Sequence, residues 1–446
     1  MTIVKKLRFF FRFITSFFKK HYKTIFIGLI LGSIFYFLIP NIMLLFSQRK
    51  HTLKIGIIGQ YSVDEIPQKI IDDISYGLTG VNEKGEPVGK IASSWIVSDD
   101  GKTYTFYISV KELFWHNGQK FVPSDVNYNF KDVSVSVENN KIIFLLKEPF
   151  APFTSVVSKP LFKKGLIGLG DYKISKIIKS GKYIKSILLV SANNGVSLNS
   201  QKLYRFYQNE KDLKTAFILG EIDILGEITN LDGLYLSKNI TVEENISKDI
   251  SVGLFFNTNK QEFSEKSFRQ ALAYSILKQT GEKRSLGPLN PLSWSYNPDI
   301  KPYKQDFERS KLLLGPEKSV YENININIST LPQYVKIAEE IKNSWKTIGI
   351  NSTVHVYPVV PDDYDTLLVA RKLPSDPDQY YFWHSTQEGN LSKFKNPRID
   401  KLLEDGRKTL DKEERKNIYF DFQRFLIEES PAVFIIHPSF YSVKRN

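Results

Sequence analysis

The chain of 446 residues is 42% hydrophobic and 24% charged, which is typical of a folded protein of about two or three domains. It contains no cysteine, so disulfides, thiolate metal sites and cysteine nucleophiles are excluded. The formal net charge is +13, but nine basic residues and no acidic residue lie in the first fifty positions, which leaves 52 basic against 48 acidic residues elsewhere. We therefore expect no nucleic-acid partner.

The first fifty residues predict a membrane anchor. Residues 24–46 contain no charge and are long enough to cross a bilayer as a helix. Seven basic residues precede this run and two follow it, so the positive-inside rule places residues 1–23 in the cytoplasm and the bulk of the chain outside the cell membrane. Residues 1–23 fit either a helix in the headgroup region or an ordinary basic flank. A cleaved signal peptide is the alternative for the whole segment, although no small-residue cleavage site follows the run.

The next region predicts short strands and turns. A strand is expected at residues 53–59, and Asp100-Gly101 predicts a hairpin turn between two further strands. Asn117-Gly118 predicts a second turn, after which Pro123 occupies the position of a first helical residue. His116 is most simply a residue that flanks this turn, not a catalytic base.

A strand, a helix and a second strand are predicted at residues 323–356. Isoleucines alternate over residues 323–330, a helical stripe of apolar residues then ends at Gly349, and alternation resumes at Ile350. Tight connections make this a βαβ unit with parallel strands. Two more helices are predicted, one beginning at Asn396-Pro397 and one at Asp411. The predicted class is α/β.

Catalytic and metal-binding motifs are missing from the sequence. The six histidines never fall within metal-ligand spacing of one another, and neither HExxH nor GxSxG occurs. Residues 85–90, GEPVGK, are one residue short of a phosphate-binding loop. We therefore expect no enzyme, no metal site and no cofactor.

Five segments, in order, resemble the bacterial extracellular solute-binding proteins of family 5, the oligopeptide, dipeptide and nickel receptors. Together they cover most of the chain after residue 52. The segments are GKIASSWIVSDDGKTYTFYI at 89–108, WHNGQKFVPSDVNYNF at 115–130, LKTAFILGEIDIL at 213–225, SVGLFFNTNKQEFSEKSFRQALAYSI at 251–276, and FKNPRIDKLLEDGRKTLDKEERKNIYFDFQRFLIEESPAVFII at 394–436.

This resemblance implies a two-lobed periplasmic-binding-protein-like fold of class II with a hinge, preceded here by the predicted transmembrane helix. Lobe I would hold residues 52–252 plus 432–446, and lobe II residues 253–431, with the hinge near Phe255 and Ala432. Such a receptor closes on a small peptide or another small solute and delivers it to the permease of an ABC importer. A transport-inactive sensor or scaffold on the cell surface is the alternative, because a helical insertion of the family is missing after Val126 and relatives extend beyond the final strand.

The resemblance also implies candidate binding residues. Peptide receptors of the family hold the peptide's amine with an aspartate three positions before an acidic-Pro pair, and Leu373 occupies that position here. Asp376 or Asp378 would have to replace the missing charge. Arg371 suits an anionic group instead, unless it is a solvated surface residue. Tyr61 and Asn257 are the remaining candidates by family position.

Overall fold

The computed structural model describes residues 3–47, 51–108, 112–192, 200–235, 238–315 and 324–446. Its strands are β1 His51–Ile58, β2 Thr79–Val81, β3 Pro87–Gly89, β4 Ala92–Val97, β5 Thr103–Ile108, β6 Val133–Glu138, β7 Lys141–Leu146, β8 Tyr172–Ser180, β9 Tyr183–Ser191, β10 Ser200–Tyr207, β11 Ile224–Ile228, β12 Ile240–Ile246, β13 Ile250–Phe256, β14 Asn325–Thr330, β15 Asn351–Val356, β16 Thr366–Lys372, β17 Ala432–Ile436 and β18 Ser439–Arg445. Its helices are α1 Ile3–Ser47, α2 Gln68–Ile74, α3 Phe153–Val156, α4 Glu210–Ile218, α5 Lys266–Ser275, α6 Phe307–Leu314, α7 Val335–Thr347, α8 Tyr380–Trp383, α9 Pro397–Lys408 and α10 Lys412–Glu429.

A seven-stranded sheet forms the centre of the first lobe, in the order β12-β18-β11-β1-β10-β9-β8. The predicted strand at 53–59 is confirmed as β1, which pairs in parallel with both β10 and β11. Both faces of this sheet are covered: α2 buries Ile70 and Ile74 on one side, and α4 buries Leu213 and Phe217 on the other. Apolar side chains on both faces explain why β1 has a nearly continuous hydrophobic sequence.

The second lobe is built on a five-stranded sheet in the order β15-β14-β16-β13-β17. The predicted βαβ unit is confirmed, since β14 and β15 are parallel and α7 connects them. Ile326 and Ile328 are buried on the strand, and Trp345 is buried on the helix, as the apolar periodicity predicts. The two late helices are confirmed as α9 and α10, each of which is capped by the side chain of the residue before it.

A third unit, which no feature of the sequence predicts, has a four-stranded sheet in the order β4-β5-β7-β6. Its core is aromatic and includes Tyr104, Phe106, Trp115 and Phe144. The predicted Asp-Gly hairpin is confirmed between β4 and β5, with Gly101 at φ +69°. The short hairpin of β2 and β3 precedes this sheet and lies beside it.

The helix expected at Pro123 is wrong. Residues Pro123–Asp125 make a single 3₁₀ turn, and the chain is extended at Val126. The Asp125 carboxylate accepts hydrogen bonds from the Val122 backbone and, at 2.8 Å, from the Trp115 indole. A long-range bond to a buried tryptophan thus fixes the turn, and no run of helical residues follows it.

The predicted division of the lobes is displaced by several residues. Strands β13 and β17 both belong to the five-stranded sheet, whereas β12 and β18 belong to the seven-stranded sheet. The chain therefore crosses between the sheets at residues 247–249 and 437–438, and not at Phe255 and Ala432. The two crossings touch, since the Ser247 amide donates to the Pro438 carbonyl at 2.9 Å.

Helix α1 extends over both predicted N-terminal segments. In the part of the chain that the structure describes, no helix combines the length and the apolar sequence needed to cross a membrane. The membrane helix predicted at residues 24–46 is therefore not confirmed.

Candidate functional site

The loop between β16 and α8 contacts a buried arginine of α10. Asp376 and Arg415 form a bidentate ion pair, with Nη2 to Oδ1 at 2.6 Å and Nη1 to Oδ2 at 3.0 Å. Their side chains are 12% and 7% exposed. Burial alone would lower the pKa of Arg415, but the charge of Asp376 and the hydrogen bonds to it outweigh burial and raise that pKa. The pair is therefore charged and shielded from water.

This ion pair lines a cavity of about 620 Å³ between the third unit and the second lobe, which we call the first chamber. Aromatic rings line it from three elements: Trp95 of β4, Tyr104 of β5 and Trp294 from the second lobe. Burial raises the pKa of Tyr104 to about 12, so its hydroxyl remains protonated. That hydroxyl donates to the Phe150 carbonyl at 2.9 Å. The chamber thus combines apolar faces with charged groups, as small-molecule sites commonly do.

A second cavity of about 560 Å³ adjoins the first, and we call it the second chamber. Neighbouring residues line the two chambers: Ser375 lines the second and Asp376 the first. Likewise, Ser155 lines the second chamber and Thr154 lines the first. The Ser155 hydroxyl lies 3.5 Å from the Asp376 carboxylate, which links the third unit to the second lobe at the partition. The two chambers are therefore parts of one cleft.

The turn between β2 and β3 closes part of this cleft. Gly85 has φ +79° and packs so tightly on the second lobe that an added Cβ would lie 2.1 Å from the Ser375 carbonyl oxygen. The Trp294 amide donates to the Lys84 carbonyl at 3.0 Å. Glu86 pairs with Lys412, and hydrogen bonds from Lys412 and Asn82 lower the pKa of Glu86. A glycine is required here by both the backbone angle and the close approach.

Asp378 takes part in a second contact between the third unit and the second lobe. Its carboxylate accepts two hydrogen bonds of 3.0 Å from Nε of Arg407 in α9. The Arg407 carbonyl in turn accepts a 2.7 Å bond from the Ala151 amide. The Arg407 guanidinium also lies over the ring of Tyr380, 4.0 Å from its centroid. Asp378 is therefore held by an internal cation.

Arg371 is partly buried and its guanidinium is enclosed by other side chains, so its interpretation as a solvated surface residue is wrong. Its guanidinium lies over the rings of Phe255 and Phe382, at 4.8 and 4.6 Å from their centroids. Nη2 donates to the Gly389 carbonyl at 2.7 Å, whereas Nη1 is buried without a hydrogen-bond partner among the described residues. Burial lowers the pKa of Arg371 to about 10. Arg371 lines neither chamber.

Tyr61 and Asn257 have structural contacts. The Tyr61 hydroxyl donates to the Ile58 carbonyl at 3.0 Å, and burial together with the charge of Glu227 raises the pKa of Tyr61. Asn257 is buried and donates from Nδ2 to the Tyr364 carbonyl at 2.9 Å. Of the five predicted site residues, the structure thus places only Asp376 on the wall of a chamber.

His116 connects its turn to a neighbouring loop. Its Nε2 lies 3.0 Å from the Gly170 carbonyl, and its Nδ1 lies 3.3 Å from the Gly168 amide. Burial lowers the pKa of His116. The residues that the structure describes contain no group of three or more His, Cys, Asp or Glu that could hold a metal ion.

Several residues of the cleft were not found by sequence reasoning. Arg415, Trp294 and Lys412 lie in segments that show only helical or irregular patterns, and nothing in their local sequence marks them as cleft residues. Gly85, which stands between two charged residues, indicates a turn locally but does not mark a cleft.

Comparisons with known proteins agree with this architecture. The family model described as bacterial extracellular solute-binding proteins, family 5 Middle, matches residues 86–146 and 135–393. The dipeptide-binding protein of Escherichia coli (strain K12) is 22% identical, and the match covers 81% of this chain and 82% of that protein. These relatives are binding proteins and not enzymes.

Two solved structures show the same two-lobed α/β fold. NikZ from Campylobacter jejuni, in complex with Ni(L-His), has a TM-score of 0.73 and 23% identity, covering 89% of this chain and 94% of that chain. The ABC transporter substrate binding protein CtaP from Listeria monocytogenes has a TM-score of 0.74 and 20% identity, with the same coverage of 89% and 94%. The likeness therefore extends over both lobes.

Proposed function

Since the chain belongs to the bacterial extracellular solute-binding proteins of family 5, we propose that it is a receptor that binds a small peptide or another small solute for an ABC importer. The main support for this proposal is the cleft, whose two chambers adjoin at Ser375 and Asp376. Their volumes suit small ligands. The dipeptide-binding relative supports a peptide, and the substrate binding protein CtaP supports delivery to a transporter.

Among the five predicted site residues, we propose that Asp376 is the one that meets the solute. Its carboxylate faces the first chamber while Arg415 neutralises it, so a ligand ammonium would share the carboxylate with the guanidinium. Asp378, Arg371, Tyr61 and Asn257 would act by holding the surrounding loops, because each of them bonds to the chain itself.

We also propose that helix α1 attaches the receptor to the cell membrane by a single pass, with its N-terminus in the cytoplasm. The support is the uncharged run at residues 24–46 and the basic residues before it. In addition, large apolar side chains of α1 such as Phe11, Phe26 and Leu29 are 64–70% exposed. Exposed apolar surface of this kind is usually covered by lipid or by a partner.

The experiment is mass spectrometry of small molecules released from the full chain, purified in detergent micelles. A receptor should release a ligand close to one equivalent per chain, whereas a transport-inactive scaffold should release none. Trp294→Ala, on the wall of the first chamber, should lower the occupancy. Tyr235→Ala is the control, because Tyr235 is 86% exposed and lines neither chamber. Equal occupancy in both variants would contradict the cleft as the binding site.

A further inference from the structure

The second chamber has a different charge from the first. Three charged residues line it: Asp72, Lys90 and Lys159. Within the described residues, neither lysine has a carboxylate at salt-bridge distance. Asp72 accepts a 2.7 Å hydrogen bond from the Gln68 amide, which does not change its charge. The chamber therefore has an excess of one positive charge.

Lys90 is held over the chamber by its packing. Its ammonium lies 5.5 Å from the centroid of the Tyr76 ring, and Tyr76 also lines the second chamber. Its aliphatic stem lies against Gly80, where an added Cβ would be 3.0 Å from two carbons of the stem. A lysine whose stem is packed in this way loses less side-chain freedom on binding a ligand than a free surface lysine.

Two acidic groups of the first chamber are already paired with cations, whereas Asp411 only caps helix α10. Asp376 is paired with Arg415 and Glu86 with Lys412 in the first chamber, and Asp378 is paired with Arg407 outside both chambers. The cations without a carboxylate partner among the chamber residues are the two lysines of the second chamber. A ligand anion bound there would be attracted by two cations without breaking an existing ion pair.

From these contacts we propose that the second chamber binds the terminal carboxylate of a peptide, with Lys90 and Lys159 as the residues that recognise its charge. This inference rests on the proposed function, and it specifies which end of the solute each chamber receives. The hydroxyl group of Ser375 lines the same chamber and can donate to a carboxylate. The hydroxyls of Ser75, Thr79 and Ser158 already donate to backbone carbonyls.

The test uses calorimetry on the full chain in detergent micelles, with trialanine and its C-terminal amide as matched probes. The free acid should bind about tenfold more tightly than the amide, and this preference should shrink at high salt. In the double variant Lys90→Gln and Lys159→Gln, the acid should bind about tenfold more weakly while the amide is unaffected.

Lys141→Gln is the matched control, since Lys141 is also exposed, lies 5.3 Å from a tyrosine centroid in the third unit, and lines neither chamber. Equal affinities for the acid and the amide in the wild type would overturn the proposal while leaving the receptor function intact. Equal weakening of both probes in the double variant would also overturn it, because that result indicates a structural role.

If neither tripeptide binds, the proposal that the receptor binds peptides fails. Mass spectrometry of the co-purified ligand then tests whether Lys90 and Lys159 bind a carboxylate. A released carboxylate whose occupancy falls in the double variant supports the role of the lysines. A released ligand without a carboxylate, or no released ligand, overturns it.

Discussion

The guanidinium of Arg415 and the carboxylate of Asp376 are joined by two hydrogen bonds, of 2.6 and 3.0 Å, between a helix and a loop that are 39 residues apart in the sequence. Both side chains are nearly buried. The pair fixes the loop that separates the two chambers, so the shape of the cleft depends on it.

Asp376→Asn should lower the free energy of unfolding by about 3 kcal/mol, because it leaves the buried Arg415 without a counter-charge. Urea unfolding of the full chain, followed by tryptophan fluorescence, measures this loss. Asp405→Asn is the control, since its partner Lys401 is 68% exposed, and it should leave the free energy of unfolding almost unchanged. A loss no larger than that of the control would show that the pair does not stabilise the loop.

Gly85→Ala should weaken trialanine binding by about tenfold or more, because the new methyl group would push the β2–β3 turn away from Ser375. Gly118→Ala is the control, because it introduces backbone strain without a steric clash. Gly118 has φ +84° and open space around it, so its change should cost about 1 kcal/mol of stability through strain alone and leave binding unaffected. Calorimetry on both variants makes the comparison, and identical binding would refute a role for the turn in closing the cleft.

The full chain should sediment with membranes and resist extraction by high salt, because apolar burial and not charge holds it there. Removal of residues 1–47 should release it. Sequencing the N-terminus of the mature protein is the decisive measurement. A chain that starts near residue 48 would contradict the uncleaved anchor.

His116→Ala should leave trialanine affinity within about twofold, since His116 lines neither chamber. The lost contacts with the loop at Gly168 and Gly170 should cost about 1 kcal/mol of stability. Calorimetry and urea unfolding measure the two effects. A loss of affinity on the order of a hundredfold, with the fold intact, would mean that the histidine belongs to the binding site.

Stability should fall as the pH decreases through about 6.5, the ordinary pKa of histidine in an unfolded chain. Burial lowers the pKa of both His116 and His437 in the folded protein, so the unfolded chain binds more protons in this range and is favoured. The loss is complete once the pH lies below the folded pKa values. His116→Gln should show a smaller difference in unfolding free energy between pH 7.5 and pH 5 than the wild type, and an equal difference would exclude His116 as a contributor.

Patterns of neighbouring residues predicted the regular elements well. The alternation before α7 and the apolar stripe along it are local properties of the chain, so the order and the pairing of β14, α7 and β15 could be predicted. The prediction at Pro123 was wrong because it used only a local signal. Proline there indicates the start of a helix, but the hydrogen bond from Trp115 to Asp125 stabilises a single 3₁₀ turn instead. The third unit was missed because no linker in the sequence separates its aromatic core from that of the first lobe.

The α/β class, the order of most elements and the family could be inferred from the amino-acid sequence, because hydrophobic periodicity, turn residues and ordered motifs are local properties of the chain. Which charges are available to a ligand depends on the three-dimensional arrangement. Asp376 and Asp378 are neutralised by arginines from α9 and α10, Arg371 is enclosed by aromatic rings, and Lys90 and Lys159 remain without carboxylate partners in the described chain. Such pairing depends on distances between segments that folding brings together, and the spacing of residues along a single chain does not contain those distances.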